Sequence, residues 1–147
     1  MGEVAVLAQL AFEELVDTFE FLDDWEDRYR YIIELGKKMS PLESAMKVAS
    51  TRVDGCASQV WIVPKISGSG DMKLFNFEGD SDAMIVRGLI AILSALYSNI
   101  TVKEAIEIDA NIEFRKLGLT DHLSAQRSNG LRSMIERLKL IAINEND

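Results

Sequence analysis

Apolar side chains recur every three to four residues in the first part of the chain, which is the spacing of amphipathic helices. The pattern predicts a helix over residues 10–22 and a second helix that begins at Trp25 after the capping pair Asp23-Asp24 and ends at Ser40-Pro41. The segment 40–43 has the pattern of a capping box with proline at the first helical position. It predicts a short third helix to about Val48.

The period changes in the middle of the chain, where short β-branched and aromatic segments predict strands. The first strand is predicted over residues 59–63, with Trp61 in the core, and the second over residues 72–78, joined to it by the loop 67–71. Residues 51–53 are a candidate third strand. The turn formers Asp54 and Gly55 follow this segment, so Cys56 is predicted at a loop tip.

Helical spacing returns in the last third of the chain. Asp80 or Ser81 is predicted to cap a buried helix from Asp82 to about Tyr97, and residues 101–104 form a capping box for a shorter helix. Ser124 is predicted to cap a final helix, whose apolar face consists of Leu131, Met134, Ile135, Leu138 and Ile141. The order of elements predicts a single α+β domain over residues 1–147, with a small three-stranded antiparallel sheet packed against several helices.

Charge narrows the classes of partner. The chain has 147 residues, with 16 Lys and Arg against 24 Asp and Glu. Its net charge of −8 argues against nucleic acid as a partner, because it would repel a polyphosphate. The apolar stretch 4–8 is too short for a membrane span and lacks a preceding basic residue, so we expect no membrane association and a cytoplasmic location. Because no long coiled-coil pattern occurs, a monomer is the default expectation.

Cys56 is the only cysteine of the chain, and His122 is the only histidine. One cysteine cannot form an internal disulfide, and the two residues together cannot supply a structural zinc site. The acidic run Asp23, Asp24, Glu26 and Asp27 is interpreted as a solvated helix start, because consecutive helical carboxylates diverge around the axis. We therefore expect no metal site, and any chemistry at Cys56 is thiol chemistry.

Several blocks of the sequence resemble one known family. The segment Arg52-Val53-Asp54-Gly55-Cys56-Ala57-Ser58-Gln59-Val60-Trp61 is similar to the cysteine loop of the SufE/CsdE family of sulfur-acceptor proteins. Further similar segments follow in the family's order, at residues 25–36, 79–89 and 122–131. The resemblance implies the SufE/IscU-like fold.

The resemblance also implies a persulfide relay. A cysteine desulfurase, SufS-like or CsdA-like, would transfer sulfur to Cys56, and this chain would stimulate that enzyme. The chain would then pass the sulfur to an iron–sulfur scaffold complex of the SufBCD type. Pyridoxal phosphate (PLP) belongs to that partner, so this chain is expected to bind no cofactor and to be a carrier rather than an independent enzyme. Delivery to another acceptor by a CsdE-type carrier and a noncatalytic adaptor with an inert cysteine stay open. A thiol-dependent enzyme is less favoured, because no Cys-x-x-Cys pair or nucleophile elbow occurs.

Five residues are candidates for support of Cys56. Gly55 permits an unusual backbone angle and a close approach to a partner, and Ser58 and Gln59 can bond to the loop backbone. Asp82 matches an acidic family position and is a candidate tie for the loop, or only a favourable charge at a helix start. Arg127 matches the family's Arg-x-x-Gly motif, where it lowers the thiol pKa or steadies a persulfide anion, or else pairs with a surface carboxylate.

Two further expectations concern the resting state of the site. The resemblance implies that the side chain of Cys56 is packed inward in the free protein and turns outward when a partner docks. His122 is interpreted as structural rather than as a proton donor, because nothing in the sequence brings it to Cys56.

Overall fold

The computed structural model describes the backbone of residues 2–97 and 99–146, and the side chains from residue 11 onward within those ranges. The apolar stretch 4–8 lies in a helix, but its side chains are outside the described part. The helices are α1 (Gly2–Phe21), α2 (Trp25–Lys38), α3 (Met84–Tyr97), α4 (Val102–Glu107), α5 (Ala110–Lys116) and α6 (Ala125–Glu145). The strands are β1 (Val60–Pro64), β2 (Leu74–Phe75), β3 (Phe77–Ser81) and β4 (Ile100–Thr101).

The strands form two small sheets, so the predicted three-stranded sheet is wrong. Strand β1 pairs antiparallel with β3, in a register that runs from Val60 opposite Ser81 to Pro64 opposite Phe77. The predicted strand 72–78 divides at Asn76, and its first part, β2, pairs with β4 instead. Residues 51–53 reach β1 through one isolated bridge, between Arg52 and Trp61, rather than as a full strand.

Helix α3 is the centre of the core, because it is buried on more than one side as its apolar content predicts. Helix α2 packs against it at two glycines. A Cβ atom on Gly88 would lie 2.2 Å from the carbonyl oxygen of Ile32, and one on Gly36 would lie 2.7 Å from the backbone nitrogen of Gly88. The two helix backbones are therefore in direct contact, and no side chain fits between them.

Asp80 does not cap α3, which begins at Met84. Its side chain is 2% exposed and accepts hydrogen bonds from the backbone N–H groups of Leu42 and Ser81. It also forms ion pairs with Arg87 and Lys47. Burial alone would raise the pKa of this carboxyl, but the two N–H groups and the two cations outweigh it and lower the pKa.

The Asp80 carboxylate also holds the segment that follows α2. Leu42 donates its N–H to Asp80, and the predicted third helix is replaced by a single 3-10 turn, Ser44–Met46. The predicted short helix is present only as this 3-10 turn, which has no side-chain cap. Arg87 fixes the end of α2, because its guanidinium donates to the carbonyl oxygens of Gly36 and Met39.

Other local predictions hold. Asp24 caps α2 by accepting from the N–H of Glu26, and the predicted capping box of α4 is formed by Thr101 and Glu104. Ser124 caps α6 as predicted.

The predicted core position of Trp61 is wrong. Its side chain is half-buried under the ammonium of Lys47, which lies 5.0 Å from the ring centroid. Strand side chains alternate between faces, and Trp61 lies on the outer face between the buried Val60 and Ile62.

No helix in the described ranges is long and apolar enough to cross a membrane.

Candidate functional site

Cys56 lies at the tip of a loop that connects two paired backbone segments. The N–H of Val53 donates to the carbonyl oxygen of Val60 at 2.8 Å, and the N–H of Ile62 donates to that of Thr51 at 2.8 Å. These two bonds define the loop stem, formed by residues 51–53 and 60–62. The stem holds both ends of the loop and leaves the tip to be positioned by other contacts.

Helix α6 supplies the surface on which the loop tip rests. The Cys56 thiol donates to the carbonyl oxygen of Gly130, with an Sγ to O distance of 3.6 Å. A Cβ atom on Gly130 would lie 3.5 Å from that sulfur, an ordinary contact distance, so the thiol packs directly on this part of the helix. Gly130 belongs to one of the family-like blocks of the sequence, but its contact with Cys56 joins residues 74 positions apart.

Two features of the structure favour glycine at position 55. Its φ of +90° lies in the region that favours glycine, and a Cβ atom there would lie 2.5 Å from the hydroxyl oxygen of Ser133 on α6. Any other residue type would strain the backbone at this position and displace the Ser133 hydroxyl. Sequence reasoning anticipated the unusual angle of Gly55 but not the role of Ser133.

The thiol faces a cavity of about 220 Å³ between the loop, α3 and α6. Its lining includes Ser58, Arg127, Val86, Leu89 and Met134 together with Cys56. Cys56 packs against the core but is half-buried, so the expected inward orientation is present without full burial. Part of the Cys56 residue therefore stays accessible to solvent.

The local electrostatics favour the neutral thiol. Burial raises the pKa of Cys56, and the negative charge of Asp54 raises it further. Because the thiolate is the nucleophile, the resting loop holds the sulfur in its less reactive form.

A raised pKa predicts a specific pH profile for alkylation of Cys56. We expect the rate with iodoacetamide to rise with pH to a midpoint above that of free cysteine, whose pKa is about 8.5. The Asp54→Asn variant should shift the midpoint downward, because it removes the second cause of the shift. A wild-type midpoint at or below that of free cysteine would contradict the resting electrostatics described above.

Asp82 and Gln59 connect the far side of the loop to the residues that precede α3. The N–H of Gln59 donates to the Asp82 carboxylate at 3.0 Å, and the N–H of Asp82 donates to the carbonyl oxygen of Gln59 at 3.3 Å. Gln59 thus acts through its backbone. This geometry supports the predicted tie, while its importance for sulfur acceptance stays a prediction.

Arg127 and Ser58 line the same cavity as Cys56. Arg127 is exposed on the first turn of α6, and no ion pair joins it to a carboxylate within the described ranges, so the surface-pair alternative is not what the structure shows. The pKa of Cys56 is nevertheless raised rather than lowered. A role for the guanidinium therefore concerns a later state of the sulfur, and it stays a prediction.

His122 lies in a different environment from the thiol. Its ring stacks on Trp25 with centroids 3.7 Å apart, and its carbonyl oxygen accepts a hydrogen bond from the hydroxyl of Tyr29. These contacts fasten the turn before α6 to the start of α2. They give His122 the structural role that the sequence predicted.

The cavity at Cys56 is smaller than a second cavity of the domain. A larger cavity of about 630 Å³ lies between α1 and the α4–α5 region, with Phe12 and Ile100 on its floor and Glu107 among the acidic residues around it. Its lining includes neither Cys56 nor any of the five candidate supporting residues. The smaller cavity is lined by the one cysteine of the chain, so chemistry rather than volume identifies the candidate site.

The fold and this site define a class: a small α+β protein whose candidate functional group is one half-buried cysteine on an anchored loop. The family model described as "SufE: Fe-S metabolism associated domain" matches residues 13–142. The chain belongs to the SufE family, and the resemblance seen in the sequence is confirmed.

Individual relatives agree with this assignment. An uncharacterized SufE-like protein of Rhizobium meliloti (strain 1021) is 50% identical over 129 residues, which cover 88% of this chain and 92% of that protein. A second, of Rhizobium etli, is 51% identical over 138 residues, covering 94% and 92%. The solution structure of a hypothetical protein from Thermus thermophilus superposes with a TM-score of 0.73 at 17% identity, covering 92% of this chain and 95% of that one. This last similarity shows the shared fold alone.

Proposed function

We propose that this protein is a sulfur acceptor for a PLP-dependent cysteine desulfurase and that Cys56 carries the sulfur as a persulfide. The observation that supports the proposal most strongly is the position of the thiol. In a chain of the SufE family, a lone cysteine lies at the tip of a loop that is anchored at both ends, with its sulfur sheltered over Gly130. The sulfur is then delivered to an iron–sulfur scaffold complex.

The proposed transfer is a thiol–persulfide exchange with balanced atoms and electrons. The Cys56 thiolate attacks the terminal sulfur of a persulfide on the desulfurase cysteine, and a new S–S bond forms. The S–S bond of the donor breaks, and its electron pair leaves on the donor cysteine as a thiolate. The Cys56 proton goes to solvent or to a base of the partner, so the exchange needs no external oxidant or reductant.

The resting geometry implies that docking changes the environment of the thiol. Burial and Asp54 raise the pKa of Cys56 in the free protein, whereas attack needs the thiolate and access to the partner's sulfur. Outward movement of the loop tip removes the burial and so lowers the pKa. Gly55 supplies the backbone freedom for this movement.

Arg127 is proposed to act after the transfer. Its guanidinium lines the cavity that the Cys56 sulfur faces. A persulfide that returns to this cavity as an anion would find a positive charge there, and the charge would favour the anionic form. Ser58, in the same lining, adds a hydroxyl donor of the kind that a sulfur anion accepts from.

The alternative of a noncatalytic adaptor has one observation in its favour, the raised pKa of a half-buried thiol, which is typical of an inert cysteine. An adaptor would bind a desulfurase and leave Cys56 unmodified. A CsdE-type carrier would use the same exchange but deliver to another acceptor. The carrier and adaptor proposals differ in whether Cys56 becomes modified. The SufE-type and CsdE-type carriers differ only in their partners.

The test of the proposed function is the rate at which a cysteine desulfurase with bound PLP forms alanine from L-cysteine. Adding this protein should raise the turnover several-fold, because Cys56 clears the persulfide from the enzyme. SufS-like and CsdA-like desulfurases should be assayed in parallel to assign the partner. Unchanged turnover with both enzymes, at concentrations where binding is measured, would favour the adaptor.

A further inference from the structure

The loop stem is fastened to α6 by one guanidinium. Arg137 donates from Nη1 to the carbonyl oxygen of Arg52 at 3.0 Å and from Nη2 to that of Ser50 at 2.5 Å. Both acceptors lie a few residues before Cys56: Arg52 belongs to the stem, and Ser50 directly precedes it. Arg137 therefore bridges the helix that shelters the thiol and the backbone that carries it.

These contacts define the register of the loop against α6. Gly130, Ser133 and Arg137 lie on one side of the helix, because they follow at three and four residues. Gly130 meets the sulfur, Ser133 lies against Gly55, and Arg137 holds the carbonyl groups of the stem. A small shift of the stem would abolish the contacts of Gly130 and Ser133 with the loop. The two hydrogen bonds from Arg137 oppose such a shift.

We propose that Arg137 is a positioning residue for Cys56: it holds the stem against α6, so that the sulfur rests over Gly130 and outward movement is confined to residues 54–58. The Asp82–Gln59 pair limits the same segment at its other end. The proposal rests on the proposed function of Cys56, but its physical content is the shelter of the thiol in the free protein.

Guanidinium geometry explains why an arginine is used at this position. Its planar fork presents parallel N–H donors to two oxygens at once, which the single ammonium of lysine cannot match. The hydrogen bonds between the stem segments use the carbonyl group of Thr51 and the N–H of Val53, and the guanidinium donates to the carbonyl group of Arg52 between them. Nothing in the periodicity of α6 marks this role, since Arg137 occupies a half-exposed position of the helix.

The test is the alkylation rate of Cys56 by N-ethylmaleimide in the free protein at fixed pH. Arg137→Met replaces the arginine with an unbranched apolar side chain, whose length is comparable with the aliphatic part of arginine, and removes both hydrogen bonds. We expect it to accelerate alkylation about tenfold or more, because a hydrogen bond to a charged group belongs to the stronger class and two of them are lost. Arg137→Lys keeps the charge and a donor, so it should restore part of the slow rate.

Arg132→Met is the matched control, because it removes an exposed arginine from the same helix and should leave the rate unchanged. The unfolding free energy of each variant in urea separates local release of the loop from global unfolding. If Arg137→Met does not fold, Arg137→Gln takes its place in the same comparison.

A wild-type rate in the Arg137 variant would overturn the proposal. So would equal acceleration in both methionine variants, or an acceleration fully accounted for by global unfolding. The assay contains no desulfurase, so its result is independent of whether Cys56 accepts sulfur.

Discussion

Replacing Cys56 with serine is expected to abolish the stimulation of desulfurase turnover and to leave binding to the desulfurase largely intact. Serine keeps the size and the hydrogen-bonding capacity of the side chain but lacks a thiolate that can attack a persulfide. The loop should keep its position, because the stem bonds and the Asp82–Gln59 pair involve no atom of residue 56. Turnover is measured as alanine formation, and binding by isothermal titration calorimetry.

The two readouts separate the candidate functions. A carrier loses stimulation with its thiol and retains affinity, whereas an adaptor retains both. Cys56→Ala provides a second variant that lacks both sulfur and hydroxyl, and it should behave as Cys56→Ser does. Full stimulation by either variant would contradict the carrier.

Replacing Gly88 with alanine is expected to cause the largest loss of stability among single methyl additions to the described glycines. The new Cβ would lie 2.2 Å from the carbonyl oxygen of Ile32 and 2.4 Å from its Cγ2. A backbone oxygen cannot move aside, so α2 and α3 would have to separate. We expect a decrease of about 3 kcal/mol or more in the free energy of unfolding, the upper end for overpacked cores. Urea denaturation monitored by circular dichroism measures it.

Gly130→Ala is the matched control for this prediction. It adds the same methyl group to a buried glycine within a helix, but the nearest atom to its Cβ is the Cys56 sulfur, at an ordinary contact distance of 3.5 Å. The helix propensity of alanine exceeds that of glycine by about 1 kcal/mol, so this variant should be as stable as the wild type or more stable. Equal destabilisation of both variants would show that the contact between α2 and α3 is not the cause.

The helices were predictable because their signals are local. Periodic apolar positions and capping side chains determine α2, α4 and α6, and each is formed within a few residues of the chain. The short helix α5 was missed because seven residues give too little periodicity. Asp80 was one of two candidate caps for α3, beside Ser81. It forms a buried ion pair instead, and only its contacts with the distant Leu42 and Lys47 distinguish that role from a cap.

The sheet was less predictable because its pairing depends on contacts between distant segments. Strand β2 has two residues, and its partner β4 follows the whole of α3, so no alternation in the sequence connects them. The thiol itself was predictable from the loop sequence. Its surroundings were not, since Gly130, Ser133 and Arg137 reach the loop only through the packing of α6.

The most direct test of the central claim is the intact mass of the protein after incubation with a cysteine desulfurase, PLP and L-cysteine without reductant, beside the Cys56→Ser variant. We expect the wild type alone to gain the mass of one or more sulfur atoms, and peptide mapping to place them on Cys56. No gain with either a SufS-like or a CsdA-like desulfurase, or an equal gain on the serine variant, would contradict it.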